Sequence, residues 1–441
     1  MTIQATLSVS SLMLFFLMPA VDAQTDTTIL SPDAVVQLAL AHSPDLKGRN
    51  EELRSATARR HQADAGLMPQ LDTRAQALHF EGLENGSLGP GVTFPVISEQ
   101  YSASIGITQP LYTGGRVTQQ RRSAQYGEDA ARHSLSAAAA DLELQVITAY
   151  WQWSKALTQI EAFQVAVARM EAQNTDTRNL KNAGMATDND LLATEVLLDQ
   201  TQLQFQEARQ QADISRIQLT QLTGHDFTSR HVPQKPAIPV LAPLPSLAEA
   251  VTHALTNRED LAGLCLNSKA SAALVEASCA EHRPQLALIA RYEQGSPNPR
   301  DFPPDDKWRD DAFIGGAITW NLFDGGLTRA RTAEAKARAA RDTFQVQSLG
   351  EAVVAQIKVA YLNRQYLSSR LKTATHAEAS ATRNLKVATD LWKNGAARHS
   401  DVLDAETKLT TTIAQRIAAE ADLLIAEATL HHAMGDSLAG Q

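Results

Sequence analysis

The chain has 441 residues, enough for two or three ordinary domains, yet only 5% are aromatic, and Ala, Gln, Thr and Leu dominate. That mix excludes a wide, aromatic-filled core and favours long helices with narrow apolar seams. A formal net charge of −9 without a basic stripe excludes a nucleic-acid binder.

The N-terminal stretch SLMLFFLMPAVDAQ is a short apolar run ending in an A-x-A-like cleavage site, Val21-Asp22-Ala23. It reads as an export signal over 1–23, although no Lys or Arg precedes the run. A buried helix is the alternative. No Cys lies near the site, so a lipid anchor is not expected. No run of 18 apolar residues follows, so no transmembrane helix is predicted. The mature chain is therefore soluble or crosses a membrane as a β-barrel, because only helices and closed barrels satisfy the backbone in lipid.

A helix is predicted from about Pro32 to Gly66, then a strand after Pro69. In that strand Leu71, Thr73, Ala75 and Ala77 are apolar or small, and Gln70, Asp72, Arg74 and Gln76 are polar. The second strand, YSASIGITQPLY, alternates more cleanly. Tyr101, Ala103, Ile105, Ile107 and Leu111 share one face; Ser102, Ser104, Gly106 and Thr108 share the other. Period-two alternation with one apolar and one polar face suits a sheet between lipid and water. The glycines Gly114 and Gly115 follow, and then a proline-free helical pattern from Arg116 to Asn182. Its roughly 67 residues would span about 100 Å. Its apolar seam is heptad: Val146, Trp153, Ile160 and Val167 form one row, and Leu142, Ala149, Ala156, Phe163 and Met170 the other. So long a 3.5-residue period predicts a coiled coil. Gly184 ends this helix as a C-cap glycine. A return helix follows, with Leu191, Leu198, Phe205, Ala212 and Leu219 spaced by seven.

The same order then repeats. A shift of 211 carries Gly114-Gly115 to Gly325-Gly326, Ala149-Tyr150 to Ala360-Tyr361, Gly184 to Gly395, Asp190 to Asp401, and Gly224 to Gly435. Upstream the shift is 215, carrying Ser31 to Ser246, Asp45-Leu46 to Asp260-Leu261, and Pro69-Gln70-Leu71 to Pro284-Gln285-Leu286. The difference falls in a loop between the first two strands, where length changes are tolerated. In the second half Leu286, Leu288, Ala290 and Tyr292 form the third strand's apolar face; Ile314, Ile318, Trp320 and Leu322 form the fourth's. The chain thus divides into the signal, a first repeat over 24–231, a proline-rich linker over 232–245 and a second repeat over 246–441. Cys265 and Cys279 are 14 residues apart in a helical pattern, roughly 21 Å along its axis, too far for a disulfide.

Four amphipathic strands cannot close a barrel, for which about eight are needed, so several chains must contribute. Three chains would supply twelve strands, with the helices projecting as a bundle from one end. The motifs QPLYTGG and NLFDGG, each leading into a long helix, resemble the TolC family of outer-membrane efflux proteins, as do the hairpins NAGMATDNDLLATE and KNGAARHSDVLDAET. The resemblance covers essentially the whole mature chain. It implies a mainly α fold with membrane β: a homotrimer with a twelve-stranded β-barrel in the Gram-negative outer membrane and an α-helical barrel crossing the periplasm. It also implies two partners, a periplasmic adaptor protein and an inner-membrane transporter.

In a hollow conduit the chemistry lies at constrictions. The hairpins at Gly184 and Gly395 are farthest from the strands and form the expected periplasmic, adaptor-facing tip. Beyond them lie Asp190, and Asp401 and Asp404, the last two on one helix face. Threefold symmetry would make each a carboxylate ring that favours cations. The resemblance implies that Asp401 and Asp404, in DVLD, line a closed entrance. It also places Trp392 at the family's closing aromatic; Ala397 stands where the family has its closing Arg, with Arg398 adjacent. The alternative is structural: an Asp near a helix N-terminus stabilises the helix dipole, and Thr187 with Asp190 resembles a capping box.

No metal, cofactor or enzymatic activity is expected. His431-His432 offers too few ligands. NPRDFPPDDKWRDD lacks EF-hand spacing and reads as an extracellular loop. No Lys-Ser/Thr follows either Gly-Gly pair, as a P-loop would require. The expected function is passive conduction in a tripartite export system. The alternatives are the exit duct of a type I protein secretion system and, in another class, a non-pore periplasmic coiled-coil scaffold, against which the lipid-suited strands argue.

Overall fold

The computed structural model describes residues 28–82, 86–87, 89, 93–94, 96–228, 231–234, 244–301 and 305–438. The expected signal and most of the linker, 235–243, lie outside the described residues.

The first predicted helix is two. Helix α1 (Pro32–His42) and helix α2 (Pro44–Ala65) meet at Ser43, which has a non-helical ψ of 117°. The proline ring of Pro44 disfavours helical backbone at the residue before it, so the chain bends there. Ser43 then serves as N-cap of α2, its hydroxyl accepting from the Leu46 N–H at 3.3 Å. The second half has no proline at this point and still breaks, at Arg258 (φ −70°, ψ 120°), between α5 (Leu247–Asn257) and α6 (Glu259–Cys279). The reduced cysteines Cys265 and Cys279 both lie on α6.

The long helices are α3 (Arg116–Asn182) and α7 (Leu327–Lys393), each of 67 residues, returned by α4 (Asp188–Thr223) and α8 (His399–Met434), each of 36. At about 1.5 Å per residue α3 and α7 reach about 100 Å. The seam of α3 is buried at Val146, Ala149, Trp153, Ala156 and Met170; Leu142, Ile160, Phe163 and Val167 are half-buried. On α4 the deepest row is not the predicted one. Thr194, Thr201, Ala208 and Ser215, also seven apart, are all buried, whereas the predicted row is buried at Ala212 and Leu219 but only half-buried at Leu191, Leu198 and Phe205. Small side chains let α3 and α4 approach closely, and two of these hydroxyls, Thr194 and Thr201, are spent on their own i−4 carbonyls.

Midway along the helices, a parallel pairing joins β1 (Thr28–Leu30) to β4 (His231–Pro233). Tyr150 ties it down: its hydroxyl donates to Leu30 O at 2.7 Å and accepts from Gln234 N–H at 2.9 Å. Beneath lies the main core, with Val35, Val36, Val146, Trp153, Leu219 and Phe227.

At the far end, β2 (Gln70–His79), β3 (Glu99–Tyr112), β5 (Gln285–Ser296) and β6 (Arg309–Thr319) form an antiparallel sheet in the order β2-β3-β5-β6. The register puts Thr73, Ile105, Tyr292 and Ala312 in one row across all four strands, and Leu71, Ile107, Ala290 and Ile314 in the next. The apolar faces of the four strands are therefore one continuous surface. It is bare: Leu71 is 65% exposed and Ile314 74%. Arg74, Ser104, Glu293 and Asp311 form a row on the opposite face. The fourth strand ends at Thr319, so Trp320 and Leu322 lie beyond it, contrary to the alternation expected there. They join Tyr112 and Phe323 as exposed apolar side chains at the helix end of the sheet, while Tyr101 stacks on Trp308 at the other end. Aromatic girdles at both rims of an apolar band characterise outer-membrane barrels.

Candidate functional site

Each strand-to-helix corner is made by two glycines in left-handed backbone: Gly114 (φ 66°) and Gly115 (φ 94°), then Gly325 (φ 65°) and Gly326 (φ 90°). This region is strained for any residue with a Cβ, which fixes the residue type. The corners differ in surroundings. A Cβ on Gly114 would lie 2.7 Å from Arg283 Cβ and 2.9 Å from Ala280 O, whereas one on Gly325 would meet nothing within 4 Å. Arg283 also donates to Gly114 O at 2.9 Å. At the second corner, Asp324 accepts from the N–H groups of Gly326 (3.0 Å) and Thr328 (2.8 Å). A hydrogen bond from the Thr328 side chain, and after it these backbone bonds, pull the Asp324 carboxyl down to about 2.

The far ends of α3 and α7 close alike. Gly184 and Gly395 both have φ 72°. The following N–H in each case reaches back to Leu180 O or Leu391 O at 2.8 Å, the hydrogen bond of a Schellman turn. The return helices then begin differently. Thr187 and Asp190 form a complete capping box: the Asp190 N–H donates to Thr187 Oγ1 at 3.1 Å, and the Thr187 N–H and hydroxyl donate to Asp190 Oδ2 at 2.9 and 2.6 Å. These bonds hold the Asp190 carboxyl below the usual carboxylate range. In the second hairpin Arg398 takes the N-cap position. A guanidinium cannot accept, so only half a box exists: the Arg398 N–H donates to Asp401 Oδ2 at 2.9 Å.

Asp401 and Asp404 are both exposed on one face of α8. Asp401 carries this capping bond; Asp404 has no partner among the described residues. Arg398 is exposed and makes no ion pair among the described residues. Trp392 is half-buried and turned onto its own hairpin, with its ring 5.2 Å from that of His399. Of the expected site residues, Trp392, Arg398, Asp401 and Asp404 thus share the second tip, while Asp190 lies on the first.

His399, which no sequence motif marks, joins the two tips. It is 9% exposed, and its Nε2 lies 2.9 Å from Thr194 Oγ1 on α4 and 3.4 Å from Thr177 Oγ1 on α3. Burial lowers its pKa, with the Asp190 carboxylate pulling the other way. Aligning the repeats exposes it: the shift of 211 places Lys181 and Asp188, an exposed ion pair, opposite Trp392 and His399, a packed ring pair. No group of three or more His, Cys, Asp or Glu suited to a metal occurs among the described residues, and no described helix is long and apolar enough to cross a membrane.

The profile of the outer membrane efflux protein family matches residues 35–225 and 250–436. Curated protein sequences give no match. Among solved structures, CusC, described in terms of folding and transmembrane channel formation, superposes with a TM-score of 0.80 at 17% identity over 96% of each chain. The outer-membrane channel OprN gives 0.79 at 21% identity, covering 92% of this chain and 89% of that one. The open state of the Neisseria gonorrhoeae MtrE outer membrane channel gives 0.77 at 19% identity, with coverage of 92% and 89%. With both repeats matched in order and the fold shared end to end, the chain belongs to the outer membrane efflux protein family and is a protein of the Gram-negative outer membrane that extends into the periplasm.

Proposed function

We propose that the chain is the exit duct of a tripartite export system: a homotrimer that passively conducts substrates delivered by an inner-membrane transporter through a periplasmic adaptor. One observation carries this reading. The four-stranded sheet has a bare apolar face, and among the described residues its outer strands β2 and β6 each pair on one side only. Three copies joined edge to edge, β6 of one to β2 of the next, make twelve strands and leave no edge. The helices favour the same closure. At the tip end α3 packs on α4 and α8, and α8 on α7, leaving α4 and α7 outermost. Both carry exposed apolar side chains there, Leu192, Val196 and Leu203 on α4 and Val387 and Leu391 on α7. A heterologous contact of this kind closes into a ring.

In that ring the hairpins at Gly184 and Gly395 form the periplasmic, adaptor-facing tip, and Asp401 and Asp404 line its constriction as carboxylate rings that select cations. Trp392 and Arg398 stand beside it and Asp190 lies on the neighbouring hairpin. Heat-resistant trimers in outer-membrane fractions, giving single-channel currents in planar bilayers, are the expected result; monomers without current would refute the duct. Replacing Asp401 and Asp404 by Ala is expected to raise conductance and reduce cation selectivity, and unchanged reversal potentials would remove the ring role.

A further inference from the structure

We propose that His399 is a proton-sensitive latch, holding the start of α8 against α3 and α4 while its ring is neutral and releasing it when the ring takes up a second proton. The geometry fixes the tautomer. The Thr177 hydroxyl donates to Gln173 O and the Thr194 hydroxyl to Asp190 O, each at 2.8 Å. With its one proton spent, each hydroxyl can only accept, so the ring carries its hydrogen on Nε2 and gives it chiefly to Thr194 at 2.9 Å. The other nitrogen, Nδ1, is buried without a hydrogen-bond partner among the described residues. A second proton would go there, creating a buried cation whose new N–H has no acceptor, and burying such a charge is costly.

Release is favoured by the seam itself. Arg169 Nη2, Gln173 Nε2 and Asn174 Oδ1, on the same stretch of α3, are also buried without hydrogen-bond partners. A wetted seam would satisfy all of them, so its separation costs less than that of an apolar contact.

The surrounding charges do not cancel the effect. On α3 and α4, Arg178 pairs with Glu195 at 3.1 Å and Lys181 pairs with Asp188; between α3 and α8, Arg169 pairs with Glu406 at 3.3 Å. On α7 the nearby charges are Asp390 and Lys393, either side of Trp392; on α8 they are Arg398 and Asp401. Asp190 on α4 attracts a charged ring, but its carboxylate already accepts two hydrogen bonds from Thr187, and burial outweighs it. A depressed folded-state pKa gives the sign. The latch is at full strength above the ordinary histidine value of about 6.5, weakens as pH falls through it, and loses no more below the buried ring's own value.

That release opens the duct rests on the proposed gate at the tip, and the experiment separates the two. Hydrogen exchange, corrected for intrinsic rates, is followed in peptides spanning residues 399–406 of the full-length trimer at pH 7.5 and 5.5, beside bilayer recordings at both values. Wild type is expected to lose protection severalfold at pH 5.5, at most about tenfold for one such group. His399→Gln should abolish that dependence. Thr194→Val, which keeps the shape and removes the acceptor, should lower protection at both pH values and carries the test if the Gln variant does not form trimers. A wild-type change under twofold, a dependence that survives in His399→Gln, or full protection in Thr194→Val overturns the latch. Exchange that responds while open probability does not would leave the latch standing and remove the tip-gate reading.

Discussion

The two hairpin tips began as the same sequence unit and now solve the same turn with different chemistry. Both end on a glycine at φ 72° and return through 36-residue helices. In the first, water-exposed groups do the work: the Lys181–Asp188 ion pair and a complete Thr187–Asp190 box. In the second, the matching positions hold the packed rings of Trp392 and His399 and only half a box. The cause is position in the fold. Helix α4 is outermost, and Leu192 on it is 60% exposed; α8 lies between α3 and α7, and the matching Leu403 is 8% exposed. Duplication supplied two equal hairpins, and burial made one of them different.

The contrast between repeats is broken or sharpened most strongly at the corners. Gly114→Ala meets Arg283 and Ala280 O as well as left-handed strain, so it is expected to cost several kcal/mol, the strain alone being about 1–3 kcal/mol. Gly325→Ala should cost only the strain, and the two variants' thermal midpoints would differ accordingly. Equal losses would mean that a neighbouring copy packs the second corner as tightly as Arg283 packs the first.

Next come the tip rings. His399→Asp, which installs the first repeat's residue, buries an unpaired carboxylate and should raise exchange at the start of α8 more than tenfold, whereas Asp188→His on the exposed tip should change it less than twofold. Asp190→Ala should weaken its helix start by about 1 kcal/mol or less and Asp401→Ala by a smaller amount, since Asp190 accepts two hydrogen bonds and Asp401 one. The depressed Asp190 carboxyl gives the first cap a sign in pH: its contribution is present above about 3.8 and is lost as pH falls through its lower folded value. Asp404→Ala should leave stability within about 0.5 kcal/mol, since Asp404 is exposed and without a described partner. Ala193 already stands at the matching position of the first repeat.

Much of the fold was legible because it is periodic. The strand alternation, the heptad seam of α3 and the shift of 211 are long-range regularities that no local accident produces. What escaped was local or partner-dependent. Pro44 should have divided the first helix, but Arg258 breaks the second without any such residue. The β1–β4 pairing is three residues long and joins segments some 200 apart, so alternation carries no signal for it. The deepest row of α4 is made of Thr, Ala and Ser, which a search for apolar residues passes over. His399 sits in the polar-looking run ARHSD; its burial depends on α3 and α4 and shows in the sequence only as a mismatch between the repeats.

The bare sheet also constrains the order of assembly. A lone chain exposes Leu71, Ile314 and Ile318 beside two one-sided edge strands, a surface prone to pairing with wrong partners. The helices have their own buried cores, at Tyr150 and Trp153 and at Val353 and Ile357, and need no lipid to form them. In the proposed trimer the economical route is therefore helices first and strands last, with barrel closure awaiting both the neighbouring copies and the bilayer. Measured stability will then depend on protein concentration, because the sheet has no satisfied monomeric state to unfold from.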